Sequence, residues 1–221
     1  MTDPTTAGAR PQGRARLWRM IHTERAALAA DLAGLTDEEW ETPSLCAGLS
    51  VREVLAHLTA GTSLSWARWM AGVIKCRFDF DEQTAMRLAE QLGASPSETL
   101  RRFERAAGST TRMIPLKAML GEAVVHGEDI RRPLGVSRTY PAETVTMLAE
   151  YYRSSDFVVV AKRRVADLRL VADDGPFTAG EGPLVSGPTL ALTMAMTGRA
   201  AHCDDLEGDG VPTLRERCGA P

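Results

Sequence analysis

The sequence predicts a mostly α protein, an antiparallel bundle of four or five helices followed by a small C-terminal α/β appendage. Three observations carry that expectation. Apolar residues recur at helical spacing through most of the first 164 positions, as at Leu17, Ile21, Leu28 and Leu32. Ser/Thr-x-x-Glu boxes punctuate those stretches, the N-terminal signature of helices. After about residue 165 the pattern changes to short alternating runs bounded by glycines.

The first helix covers Arg14 to Leu35, with residues 1–13 expected to form a short disordered tail. Thr36 and Glu39 open a short turn ending at Trp40, and Pro43–Gly48 is a loop. Ser50-Val51-Arg52-Glu53 is the cleanest helix start, and the helix behind it buries Val51, Val54, Leu55 and Leu58 and is expected to run to Met70 or beyond. His57 lies on the flank of that stripe, about 60° from Val54 at about 100° per residue, facing the seam between helices. Asp79–Leu92 is a further helix. Ser95-Pro96-Ser97-Glu98 opens another through Leu100 and Phe103, with proline at its first position.

Next comes a helix from Leu116 that must stop before Pro133, because proline cannot continue it. Pro141 starts the last helix of the bundle, with Val145, Leu148, Ala149 and Tyr152 on one face. In the appendage Leu168–Ala172, Phe177–Ala179 and Leu184–Ser186 are short strands, Thr189–Met196 is a buried helix, and Leu206-Glu207 returns to the sheet before a polar tail. The domain boundaries so read are 1–13, 14–164 and 165–221.

Composition narrows the function. The chain has 221 residues, 44% hydrophobic and 25% charged, with a net charge of −3, so nothing draws it globally to nucleic acid or anionic membranes. No apolar run approaches the ~20 residues of a membrane span, and no hydrophobic segment follows the N-terminal charges as in a secretory signal. Cys46, Cys76, Cys203 and Cys218 lack metal-finger spacing and read as reduced thiols of a cytoplasmic protein. No G-x-S-x-G, G-x-G-x-x-G or P-loop is present, which argues against serine hydrolysis and nucleotide chemistry.

The chemistry centres on Gly121–Gly135. Glu122 and His126 stand four residues apart, so they share a helical face with Cβ atoms roughly 5–6 Å apart. Such a pair can grip one metal ion or form a partly buried ion pair. With His57 as a third ligand the set becomes His2Glu, the combination of catalytic zinc sites that keep one position open. Asp129 could orient the His126 imidazole or instead pair with Arg132. Cys46, near the capped helix start, is either structural or a reactive thiol. His22 and His202 suit surface or capping roles, and Trp18, Trp40, Trp66 and Trp69 suit packing.

The run Trp40-x-x-Pro-Ser-Leu-Cys-Ala-Gly-Leu-Ser-Val-Arg-Glu-Val-Leu-Ala-His-Leu resembles the N-terminal signature of the mycothiol-dependent maleylpyruvate isomerase family, a DinB-like four-helix fold. Glu122-x3-His126-Gly-Glu-Asp-Ile-Arg-Arg-Pro-Leu-Gly is similar to its second signature. The resemblance covers roughly residues 14–164, and the remainder resembles the small sterol-carrier-related module of many members, best at Gly198-Arg199. It implies that His57, Glu122 and His126 hold a divalent metal, zinc by the family's habit. It also implies mycothiol or a similar thiol as cosubstrate. In such an enzyme the open metal position binds the thiol and lowers its pKa, and the thiolate attacks a small electrophile, for isomerisation or S-transfer. The alternative is a metal-bearing bundle without activity, or a module that holds a hydrophobic ligand. Small-molecule partners and a monomer or homodimer are the corresponding expectations. Leu49 departs from the family pattern, which has tryptophan there, and the C-terminal module is short.

Overall fold

The structure is a computed structural model that describes residues 5–63 and 66–219; the side chains of 5–11, Trp66, Trp69, Phe80 and Asp81 also lie outside the described set. The packing expected for Trp66 and Trp69 therefore falls outside the described residues. Contacts divide the chain into two units, Met1–Ser137 and Arg138–Pro221.

The first unit is all helical: α1 (Thr5–Leu32), α2 (Asp37–Trp40), α3 (Val51–Ser63), α4 (Trp66–Lys75), α5 (Phe80–Gln91), α6 (Pro96–Ala107) and α7 (Leu116–Arg131). α1 packs on α7, α7 on α3, α3 on α6 and α6 on α1, so four helices close a ring, with α5 added against α3. Inside the ring Ile21, Leu28, Leu32, Val54, Leu55, Phe103, Leu120, Val124 and Ile130 are buried. Ile21, Leu28, Leu32, Val54, Leu55 and Phe103 among them are positions that the apolar periodicity selects.

Capping fixes the starts. Ser50 N–H donates to Glu53 Oε2 at 2.8 Å and Glu53 N–H donates to Ser50 Oγ at 3.3 Å, a closed capping box. The box at Thr36 and Glu39 closes in the same way. At Ser95 only half of it forms: Glu98 N–H donates to Ser95 Oγ at 3.3 Å, while the Glu98 carboxylate accepts from Ala94 N–H at 2.7 Å instead. α7 ends as Pro133 requires. Val136 N–H turns back to Arg131 O at 3.0 Å through Gly135, whose φ of +67° is the left-handed geometry that favours glycine.

One expectation for this unit changes. Helix α1 starts at Thr5, so the part of the 1–13 tail that is described is helical; extending a formed helix adds one hydrogen bond per residue fixed and needs no new nucleus. Residues 1–4 lie outside the description. The helix of His57 is described over Val51–Ser63 and helix is again described over Trp66–Lys75, so whether it runs on to Met70 turns on residues 64 and 65, which lie outside the described residues.

The second unit contains α8 (Ala142–Ser154), β1 (Arg169–Ala172), β2 (Thr178–Ala179), β3 (Leu184–Gly187), α9 (Thr189–Met196), a 3-10 helix (Ala200–Asp205) and α10 (Val211–Cys218). The sheet order is β2-β1-β3, with β1 antiparallel to β2 and parallel to β3. Glu207 bridges to Ser186, the expected return to the sheet. α8 and the sheet both pack on α9, which is buried along nearly its whole length. Whereas the sequence reading groups α8 with the bundle, the contacts group it with α9. The polar tail is corrected to helix α10. Its one buried side chain, Leu214, leaves no apolar period to read. His202, expected in a surface or capping role, is not at the surface: it is 3% exposed within the 3-10 helix, its Nδ1 3.7 Å from Asp205.

The Ser50 box starts the helix that carries His57. Ser50→Ala is expected to cost about 1 kcal/mol, read as a lower denaturant midpoint with unchanged slope.

Candidate metal centre

Three elements converge on one spot inside the first unit. α3 presents His57 on the flank of its buried stripe, and α7 presents Glu122 and His126 one turn apart. His126 Nε2 lies 3.3 Å from Glu122 Oε2, and His57 Nε2 lies 3.9 Å from the same oxygen. The two imidazoles meet edge to face, with centroids 5.1 Å apart at 77°. One donor atom from each of the three residues falls within 4.8 Å of the others. Bonds of about 2.0–2.2 Å in a tetrahedral zinc site place donor atoms about 3.3–3.5 Å apart, so small inward adjustments would let this set hold such an ion.

The third element is the Pro43–Gly48 loop. Leu45 N–H donates to the backbone oxygen of Asp129 at 3.0 Å, and Cys46 Sγ–H donates to Asp129 Oδ2 at 3.0 Å. The same Oδ2 lies 2.9 Å from His126 Nδ1, and Cys46 Sγ lies 3.4 Å from that nitrogen. Asp129 is fully buried. It therefore stands where it can accept the Nδ1–H proton, and that tautomer leaves the Nε2 lone pair turned toward Glu122 and His57. Cys46 belongs with Asp129, on the far side of the imidazole from the three-residue cluster.

The charges reinforce each other. Burial opposes the negative charge of Glu122, yet hydrogen bonding and attraction from His126 and then His57 prevail, and its carboxyl is held well below the usual range. Burial also opposes a charged His126, but hydrogen bonds to Asp129, Cys46 and Glu122 prevail and raise its pKa well above that of a free imidazole.

Beside the cluster opens a cavity of about 200 Å³. Its walls come from Arg25 of α1, from His57, Leu58, Gly61 and Thr62 of α3, from Met113 and Ile114 of the connection, and from Met119, Glu122 and Ala123 of α7. The wall is largely apolar, and His57 and Glu122 both reach it. Neither metal cluster among the described residues includes His22, which lies 3.2 Å from Ser109 O and stacks on Trp18. Trp18 and Trp40 are buried as packing residues. Leu49 packs against the core around Trp40 and Leu55 and does not line the cavity.

Sequence reading missed Arg25. It stands between Ile21 and Leu28 on the buried stripe of α1, so a cation in an apolar register was the available signal.

Fold and side chains define a DinB-like helical bundle that gathers two histidines and a glutamate beside a cavity. Over residues 21–117 the chain matches the family model described as the mycothiol maleylpyruvate isomerase N-terminal domain, the family that its two signatures resemble. The crystal structure of the mycothiol-dependent maleylpyruvate isomerase superposes with a TM-score of 0.62 at 14% identity, covering 88% of this chain and 92% of that one. A histidine-to-alanine mutant of that enzyme superposes with the same TM-score at 13% identity. At these identities the likeness establishes the fold. No curated protein matches the sequence.

Two outcomes follow from this geometry. A divalent ion must displace the His126 proton that Glu122 and Asp129 favour, so below the pKa of His126 its affinity is expected to rise about tenfold per pH unit. Calorimetry in buffers of different protonation enthalpy reads this as release of about one proton per ion bound. Asp129→Asn is expected to weaken zinc binding by about 10–100-fold while the helices persist by circular dichroism.

Proposed function

We propose that this chain is a metal-dependent enzyme that uses a small thiol of the mycothiol type to isomerise, or to transfer sulfur to, a small electrophile. His57, Glu122 and His126 would hold the ion, and two imidazole nitrogens with one carboxylate oxygen suit zinc. The observation that carries the reading is the pairing of this three-residue cluster with a cavity. Among the described residues no fourth ligand completes the cluster, whereas a purely structural zinc site is closed by four.

When bound, the ion would supply the positive charge that lets a thiol lose its proton near neutral pH. The chain's own residues prepare the place. Asp129 holds His126 in one tautomer, Glu122 stays ionised between two imidazoles, and the apolar wall of Leu58, Ile114 and Met119 limits competing water. The family model and the shared fold support the choice of a mycothiol-type thiol. A cytoplasmic location suits such a cosubstrate and the four free cysteines. No helix among the described residues is long and apolar enough to cross a membrane.

His126→Ala is expected to lose stoichiometric zinc in elemental mass spectrometry of untagged protein, with helicity largely kept. Metal content equal to that of the unaltered chain would overturn the assignment of the site. Thiol-dependent turnover of electrophilic substrates is expected to disappear in the same variant.

A further inference from the structure

The second unit holds two cysteines that the metal cluster does not use. Cys203 lies in the 3-10 helix and is 1% exposed, whereas Cys218 is the half-buried last residue of α10. Both elements pack on α9 and on each other. The two side chains meet there. Cys203 S–H donates to the Cys218 sulfur, and Cys218 S–H donates to Ala195 O at 3.3 Å.

Three guanidiniums bear on Cys218, each fixed by a backbone oxygen. Arg164 Nη1 donates to Met196 O at 2.9 Å and Arg199 Nη1 to Thr197 O at 2.8 Å, the two carbonyls that follow the one Cys218 uses. Arg215, in the last turn of α10, donates to Asp204 Oδ1 at 2.8 Å and to Ala200 O at 3.3 Å. Carbonyls at a helix end repel an anion, and the guanidiniums offset that repulsion. The Cys203 hydrogen bond, then the charges of Arg164, Arg215 and Arg199, prevail over burial and hold the Cys218 thiol below its ordinary range. The same hydrogen bond, followed by burial, pushes the Cys203 thiol well up. One sulfur is set to be the thiolate, and the other keeps its proton.

An accessible thiolate beside a sheltered second thiol is the arrangement in which oxidation stops at a disulfide. We infer that Cys218 and Cys203 form a reversible dithiol–disulfide pair oxidised by a hydroperoxide, with Cys218 attacking and Cys203 resolving. Hydrogen peroxide is small enough to reach a half-buried sulfur and needs no pocket of its own. The Cys218 thiolate bonds to one peroxide oxygen and the O–O bond breaks. The departing hydroxide takes from solvent the proton that Cys218 gave up. Cys218 is then a sulfenic acid, and the negative charge that held the proton on Cys203 is gone. Cys203 attacks the sulfenic sulfur, the S–O bond breaks, and the Cys203 proton leaves with that oxygen as water. Two thiols are oxidised to one disulfide, and one peroxide is reduced to two waters. The new bond ties α10, whose one buried side chain is Leu214, to the 3-10 helix. None of this depends on the metal cluster or on the proposed function.

The test treats the full chain with hydrogen peroxide, blocks the remaining thiols with iodoacetamide and maps tryptic peptides by mass spectrometry. Cleavage after Arg215 and Arg217 leaves Cys203 and Cys218 on separate peptides, so their disulfide reads as a cross-linked pair. That pair is the expected main product, and dithiothreitol is expected to return both thiols. Cys203→Ser is expected to strand Cys218 as a sulfenic acid that dimedone labels. Cys218→Ser is expected to leave Cys203 reduced and unlabelled, since that sulfur is sheltered. Near-UV circular dichroism checks the fold of each variant, and the map of the unaltered chain decides the pairing if a variant does not fold. The inference is overturned if the cross-link does not form, if either cysteine joins Cys46 or Cys76 instead, or if Cys218 of the unaltered chain passes to sulfinic acid. Dimedone on Cys203 in Cys218→Ser, or no label on Cys218 in a folded Cys203→Ser, would also overturn it.

Discussion

A carboxylate without solvent must place its charge on donors, and Asp129 places it on the His126 imidazole and the Cys46 thiol. Its backbone oxygen meanwhile accepts the Leu45 N–H, so one residue ties the Pro43–Gly48 loop to α7. The direction of the imidazole follows. With Nδ1 facing the buried acid, Nε2 faces Glu122, and His57 completes the group from the neighbouring helix. The arrangement requires α3 and α7 to keep their register. That register is held by the ring of four helices, and at the start of α3 by the Ser50 box.

Opposing charges are placed with economy in this unit. The cluster concentrates carboxylates on imidazoles, and Arg131 has two acids beside it. Arg25 differs because its protein partners are backbone carbonyls, which are dipoles and not counter-ions. Arg25 shares the cavity wall with His57 and Glu122.

Much of the fold was legible because local chemistry and tertiary packing agree. The boxes at Thr36 and Ser50 close as their spacing implies, Pro133 limits α7, and the stripe Val51, Val54, Leu55 and Leu58 is buried. Helix α10 was not legible, since a single buried leucine gives no period. His202 was misjudged because Asp204 and Asp205 make its neighbourhood look polar, while packing of the 3-10 helix on α9 buries it. The companionship of α8 with α9 depends on which apolar face meets which, and amphipathic helices do not carry that in their own pattern.

By itself the sequence determined the helical register, and with it the candidacy of His57, Glu122 and His126. Helix periodicity is a local property, so residues four apart declare a common face before any folding is known. Only the tertiary structure decided that His57 reaches the same carboxylate oxygen as His126, and that Cys46 attends Asp129 on the other side of the ring. It also decided that Arg25 sits in the same cavity wall as two of the cluster residues. Distances between helices depend on how side chains interlock across the core, a non-local property that no stretch of sequence contains.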